Sequence, residues 1–420
     1  MNNHLDQQIL RNVDTVQHKA KLVQQRLLGY GTYVMGLFII SIYLSTALAI
    51  VVSVLIGLLW LLTAQFQKLP KVLKDSPVAI WALLLYLCFI VGLCYGDALS
   101  SEAYSMLRKY RELLFIPVLS CFFTDERYRT WAWKAFIIGS VLTLATSYLM
   151  DFGIMEMFRH KTFTLKSRIT HSVFIAFFIF FCAHKIADSK QYLGGYALFL
   201  VFGIFNLFFI VQGRTGQVVF MALVLLFAVQ RLSKKGLLLA MVMLVTLLAL
   251  YINFSDKSAR IYSGLTQTLA YLKHVPEKKP TDVSVRYAFW ENSLKLVSEK
   301  PWLGHGTGSF AKEYQRVSGG NLDIKTSNPH NEFLLIAVQF GIFGFVIYFG
   351  FLFSQYYCSR ELPDAEKWLA QGLLLTLIIT SLFNSPLLDH AEGHWFSVMI
   401  ALCFASNYSI SKFERQDIST

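Results

Sequence analysis

The stretch GLLLAMVMLVTLLALYIN, residues 236–253, carries no charged side chain over eighteen positions. As a helix rising about 1.5 Å per residue it reaches roughly 27 Å, close to the ~30 Å hydrocarbon core of a bilayer. Comparable apolar runs recur on both sides of it, from Tyr30 almost to the end of the chain. Twelve spans are predicted, near 30–45, 47–65, 77–95, 111–123, 131–150, 169–184, 194–212, 216–230, 236–253, 332–356, 368–384 and 395–408. The fourth is short and contains Pro117, so it reads as broken or re-entrant. Composition agrees, with 55% hydrophobic and 15% charged residues over 420 positions. A soluble domain carries about 25% charged residues, so too few remain here to coat a water-facing surface. The expected class is an all-α polytopic membrane protein.

Its parts follow from the same pattern. Residues 1–29 form a polar tail whose apolar positions Leu5, Ile9, Val13, Val16, Ala20, Val23 and Leu27 recur three and four apart, one face of an amphipathic helix lying on the membrane surface or against a partner helix. No short apolar core with a small-residue cleavage site follows, so no cleavable leader is expected. Residues 30–253 hold nine spans, 254–331 a long loop, 332–408 three more spans and 409–420 a second tail. The six cysteines lie in or beside apolar segments, and no CxxC pair occurs.

An even number of spans puts both termini on one side. The side bearing the termini holds more than twice the Lys/Arg of the short loops opposite, which predicts cytoplasmic termini and an outward-facing long loop. The cations that remain on the outer side concentrate as Arg108, Lys109 and Arg111, then Arg159, Lys161, Lys166 and Arg168, then Arg214. Such clusters suit an anionic ligand such as a phosphorylated lipid or glycan; the alternative is anchoring of helix ends at headgroups.

Within the long loop, 283–300 reads as an amphipathic helix with Val285, Phe289, Trp290, Leu294 and Val297 on its apolar face, stopped by Pro301 and Gly304. The following Gly304-His305-Gly306-Thr307-Gly308-Ser309 is either a backbone nest for phosphate or a sharp turn before a helix at Phe310. Then comes Ser327-Asn328-Pro329-His330-Asn331. With Asn328 as N-cap and Pro329 in the first helical position, His330 falls in the opening turn of the tenth span. The helix dipole and nearby arginines oppose its protonation, so it would be a neutral imidazole suited to general-base work, against the simpler reading of a polar residue marking the water interface.

His330-Asn331, nine residues, and then Gly341-Ile342-Phe343-Gly344 resembles the signature of the O-antigen ligase and polymerase superfamily. Arg286-x-x-Phe289-Trp290, the glycine-rich turn after Pro301, and Gly213-Arg214-Thr215-Gly216 at an outer hairpin extend the resemblance over most of the chain. One departure is Val218, where the ligase pattern favours Leu. The resemblance implies a GT-C-like glycosyltransferase that moves a glycan from an undecaprenyl-diphosphate carrier to a sugar of lipid A-core at the periplasmic face of the inner membrane. It implies His330 as the catalytic residue, Arg214 and Arg286 on the donor diphosphate with Arg168 as a weaker match, and Asn331, Gly341 and Gly344 in support. The expected partners are the carrier-linked donor, the lipid A-core acceptor and membrane lipids, with no nucleic acid and no cofactor. Gly341 and Gly344 are read from the residues as sites of close helix approach.

A glycosyl diphosphate carries its own leaving group, so guanidinium forks suffice there, whereas an acceptor hydroxyl must lose a proton to a base. No metal is expected. The chain has no Asp-x-Asp pair, and Asp389-His390-Ala391-Glu392-Gly393-His394 reads as a hydrogen-bonded loop near the groove. Competing readings are a repeat-unit polymerase or protein O-oligosaccharyltransferase with the same donor, and a lipid or glycan transporter, which would normally show internal repeats or ionisable groups at midplane.

Overall fold

Serine, threonine and aspartate side chains cap eight of the seventeen described α-helices at their N-termini, and proline begins one of them. The computed structural model describes residues 2–96, 100–156, 163–191, 193–273, 281–319 and 326–408. Arg159, Lys161 and the tail 409–420 lie outside these residues, as do the side chains of Leu5, Ile9, Val13 and Val16.

The first half runs α1 (Asn2–Leu44), α2 (Thr46–Leu62), α3 (Leu69–Asp75), α4 (Pro77–Val91), α5 (Ser101–Tyr110), α6 (Phe115–Phe123), α7 (Glu126–Asp151), α8 (Arg168–Asp188) and α9 (Leu193–Phe205). The second runs α10 (Arg214–Arg231), α11 (Lys234–Phe254), α12 (Ala259–Leu272), α13 (Asp282–Glu299), α14 (Phe310–Val317), α15 (Glu332–Ser359), α16 (Asp364–Phe383) and α17 (His390–Cys403). No strand occurs among the described residues. The protein is an all-α, multi-pass membrane protein.

Among the described residues, eight helices are long and apolar enough to cross a bilayer, and the bent pair α2 and α3, with an angle of 76° between its arms, makes nine if it counts as one span. By length and apolar composition the expected count of twelve is not confirmed. The four spans predicted at 47–65, 77–95, 111–123 and 395–408 fall on this bent pair and on the short helices α4, α6 and α17. Burial explains the short ones. Every residue of α17 from Ala391 to Cys403 is buried, so its length is set by neighbouring helices rather than by lipid. At the other extreme, α11 has no fully buried residue. The amphipathic tail is not a separate element, because α1 continues without interruption into the first span.

The long loop holds α12, which periodicity did not reveal, then α13 and α14 close to their predicted limits. Its glycine-rich turn serves neither as a phosphate nest nor as a simple reversal. Helix α15 breaks at Gly341, where φ is +60° and ψ −150°, a region essentially restricted to glycine. The turn docks into that break. His305 N donates to Val338 O at 2.9 Å, Gly306 N to Gln339 O at 2.8 Å and Ile342 N to Pro301 O at 2.8 Å. A Cβ on Gly341 would lie 2.4 Å from the Trp302 carbonyl. This glycine thus lets the loop, not a neighbouring helix, approach closely, while a Cβ on Gly344 would meet the Phe340 side chain.

Candidate functional site

Glycine spacing sets the first wall of the site. Gly213 and Gly216 flank the start of α10, and a Cβ on either would strike Ser172 of α8 at 2.2–2.7 Å. The two helices pack closely there, which brings Arg214, first residue of α10, beside Arg168, first residue of α8. Ser167 caps α8 by accepting from Thr170 N at 3.1 Å. Across the gap, α13 supplies Arg286 and Phe289. These residues and His330 line one cavity of about 780 Å³.

The four predicted ligand and base residues therefore meet. Their surroundings are unusually poor in anions. Arg214 has one carboxylate within reach, the exposed Asp282 at 3.7 Å, and Arg286 and Arg168 make no ion pair among the described residues. Burial, followed by the neighbouring Arg214, lowers the Arg286 pKa from its ordinary value, with Asp282 opposing. Two adjacent guanidiniums and two helix N-termini make the local field positive, which favours negative charge in the cavity. Gly264 of α12 leaves room for this arrangement, since a Cβ there would come 3.0 Å from an Arg214 guanidinium nitrogen. Lys166, from the same basic cluster, turns away to hydrogen-bond Thr46 Oγ1 at 2.9 Å.

His330 does not sit in the opening turn of α15 as expected. Asn328 Oδ1 accepts from His330 N at 2.8 Å, a local turn that competes with helix initiation. The cap passes to Asn331, whose Oδ1 accepts from Leu334 N at 3.0 Å. His330 consequently adopts φ +52°, an uncommon conformation for a residue with a side chain. Trp290 Nε1 donates to Pro329 O at 3.1 Å, Ser385 Oγ donates to Asn328 Oδ1 at 2.8 Å, and Asn331 Nδ2 donates to Leu382 O at 3.1 Å. The strained residue is thus held from α13 and from the end of α16. Its ring lies nearly parallel to Phe289, with centroids 6.2 Å apart.

Burial lowers the His330 pKa below the usual imidazole value, a hydrogen bond with Asn384 opposes this, and Arg286 adds to the lowering. The neutral state expected from the sequence is supported, with desolvation rather than the helix dipole as the leading cause. His330 Nδ1 lies 3.3 Å from Asn384 Oδ1. Asn384 Nδ2 in turn donates to Glu392 Oε2 at 3.5 Å, and Glu392 Oε1 accepts from Thr170 Oγ1 at 2.8 Å. An amide oriented by Glu392 favours the tautomer with the proton on Nδ1 of His330 and the lone pair on Nε2.

Asn384 and Glu392 are the residues that sequence reasoning missed as a pair. A lone Asn ending an apolar run just before Ser385-Pro386 was the available signal. The Asp389–His394 cluster is not a loop, because Asp389 caps α17 by accepting from Ala391 N and Glu392 N, and the rest is helical.

A second, mainly apolar groove of about 380 Å³ opens between α10, α11, α12 and α13. Val218, Met221, Leu248, Ile252 and Leu265 line it, and Arg214 and Arg286 belong to both its wall and that of the first cavity.

Residues 197–349 match the family described as O-Antigen ligase, a segment that contains Arg214, Arg286, His330, Gly341 and Gly344. The chain is 28% identical over 140 residues to an O-antigen ligase of Pseudomonas aeruginosa, covering 32% of this chain and 33% of that protein. It is 23% identical over 194 residues to an uncharacterized protein of Haemophilus influenzae, covering 43% of this chain and 48% of the relative. The matches thus span between a third and about half the length of these relatives.

Proposed function

We propose that this chain, whose residues 197–349 match the O-Antigen ligase family, is a metal-independent membrane glycosyltransferase that joins polysaccharide from undecaprenyl diphosphate to a sugar hydroxyl of lipid A-core. The reaction takes place at the periplasmic face of the inner membrane, with both termini in the cytoplasm. The observation that carries this reading is the sharing of Arg214 and Arg286 between a cationic cavity containing His330 and an apolar groove. A lipid diphosphate has the matching shape, with its hydrocarbon in the groove and its phosphates at the guanidiniums.

Each residue then has a chemical task. The arginine forks hold phosphate oxygens, and those contacts strengthen as negative charge develops on the departing diphosphate. Arg168 lines the same cavity and adds to its positive charge. His330 Nε2 takes the proton of the acceptor hydroxyl, while Asn384 holds Nδ1–H and fixes the ring. The acceptor oxygen attacks the anomeric carbon as the bond to diphosphate breaks, a single displacement with inversion. General-base assistance of this type contributes about 100- to 10,000-fold.

The test offers purified protein in detergent a carrier-linked glycan together with lipid A-core, a second carrier-linked glycan, or a serine-rich protein. The reading expects product with lipid A-core alone. Product with either other acceptor would reassign the chain to polymerase or protein transferase, and no product with any acceptor would defeat the proposal.

A further inference from the structure

A second polar cluster lies outside the groove. Glu112, in the 3-10 turn Arg111–Leu114 ahead of α6, faces His390 and His394, which stand four apart on one side of α17. Glu112 Oε1 is 2.6 Å from His390 Nδ1 and 2.9 Å from His394 Nδ1. A ligand atom from each of the three residues falls within 4.8 Å of the others. The side chains of Glu112 and His394 are 2% and 0% exposed, while His390 keeps 19% exposure at one edge.

Hydrogen bonding leaves this cluster incomplete. Glu112 Oε2 and His394 Nε2 are buried with no hydrogen-bond partner, although buried polar atoms in proteins are nearly always paired. His394 Nδ1 sits 2.7 Å from His390 O and 2.9 Å from Glu112 Oε1, so the ring nitrogen that faces the cluster is Nδ1. Space for the carboxylate is also specific: a Cβ on Gly393 would lie 2.0 Å from Glu112 Oε2. The glycine in the Asp389–His394 segment therefore admits the third member of the cluster, which comes from 278 residues away.

We infer that Glu112, His390 and His394 form a structural site for a divalent transition-metal ion of the zinc type. Two imidazoles and one carboxylate are an established zinc donor set, with bonds of about 2.0–2.2 Å and a fourth position open to water. Ligand atoms around such an ion stand roughly 3.4 Å apart, so the present arrangement needs only small side-chain movement to close. The ion replaces the protons that the Nδ1 atoms of His390 and His394 share with Glu112 Oε1. It pins α17 to the turn before α6, and α17 also carries Glu392, which reaches Thr170 and Asn384. The ion thereby fixes the rotation of α17 without entering the transfer cavity.

The inference is independent of the transfer chemistry, and its test uses no transfer assay. Full-length protein without an affinity histidine tag is stripped with EDTA, incubated with zinc chloride, desalted and analysed by elemental mass spectrometry. Wild type is expected to hold close to one zinc per chain, with a chelator-sensitive melting temperature. Glu112→Gln retains an oxygen acceptor for His390 but loses the anionic ligand, so its zinc should drop at least about tenfold and its melting should become insensitive to chelator. His394→Gln should behave alike. Wild type without zinc, or either variant with full zinc, would overturn the inference. Should both variants fail to fold, cobalt(II) added to wild type decides. Visible d–d absorption of a tetrahedral nitrogen and oxygen site is expected, and its absence would also overturn the assignment.

Discussion

Helix α10 carries an arginine at each end, and the two have opposite surroundings. Arg231, at the C-terminal end where the helix dipole favours a cation, is saturated: it pairs with Asp188, contacts His184 Nδ1 at 3.2 Å and lies 3.7 Å above the Trp368 ring. Arg214, at the N-terminal end where the dipole disfavours it, has one exposed carboxylate at 3.7 Å and a second guanidinium as its neighbour. Folding alone accounts for the first. The second sets two like charges close together, which an anionic ligand would relieve, and on the proposed reading the unsatisfied end faces the donor diphosphate.

Exchanging the two roles by mutation should give the largest contrast. Arg286→Ala or Arg214→Ala is expected to reduce transfer by roughly 100-fold or more, with a melting temperature equal to or above wild type because a repulsion is removed. Arg231→Ala is expected to keep transfer but lose on the order of 2 kcal/mol of stability, from the broken pair and cation–π contact. Thermal melting and transfer measured on the same preparations check both halves. If Arg231→Ala abolishes transfer in folded protein while Arg286→Ala leaves it intact, the comparison fails. Arg286→Lys sharpens it, because a point charge replaces a fork and a further loss of roughly tenfold or more relative to wild type is expected.

The same contrast between satisfied and strained backbone applies within α15. Gly341→Ala forces a side chain into φ +60° and against the Trp302 carbonyl, so a destabilisation of about 1–3 kcal/mol or more is expected by melting in detergent. Gly344→Ala meets only a movable phenyl group at Phe340 and should do less harm.

The smallest effect concerns pH. His330 has a lowered pKa, so its base form persists below the usual imidazole value of about 6.5. The acid limb of kcat/KM should therefore lie below that value. Arg286→Gln removes a contribution that lowers this pKa, so the limb of its residual activity should move upward. A downward shift would contradict the assigned electrostatics.

Much of this architecture was legible because its signals are local. Apolar length marks α8 to α11, and the periodicity of 283–300 marks α13. The meeting of Arg214, Arg286 and His330 was reached only through motif resemblance. What escaped depends on contacts distant in sequence. The cap at Asn331 rather than Asn328 follows from an Asx turn secured by Ser385, and no rule of spacing contains Ser385. The break at Gly341 exists because Pro301 and Trp302 fill it, and the eleven helices α6 to α16 separate Glu112 from His390 in sequence. Short buried helices such as α17 also evade a length criterion, since protein rather than lipid surrounds them.

The central claim is that a neutral imidazole activates the acceptor while the arginines, separately, hold the donor. Measuring donor affinity and transfer together for His330→Ala tests it most directly. The account predicts undecaprenyl-diphosphate binding within about twofold of wild type and a loss of transfer of at least roughly 100-fold. Transfer at the wild-type rate, or loss of donor binding equal to the loss of transfer, would contradict it.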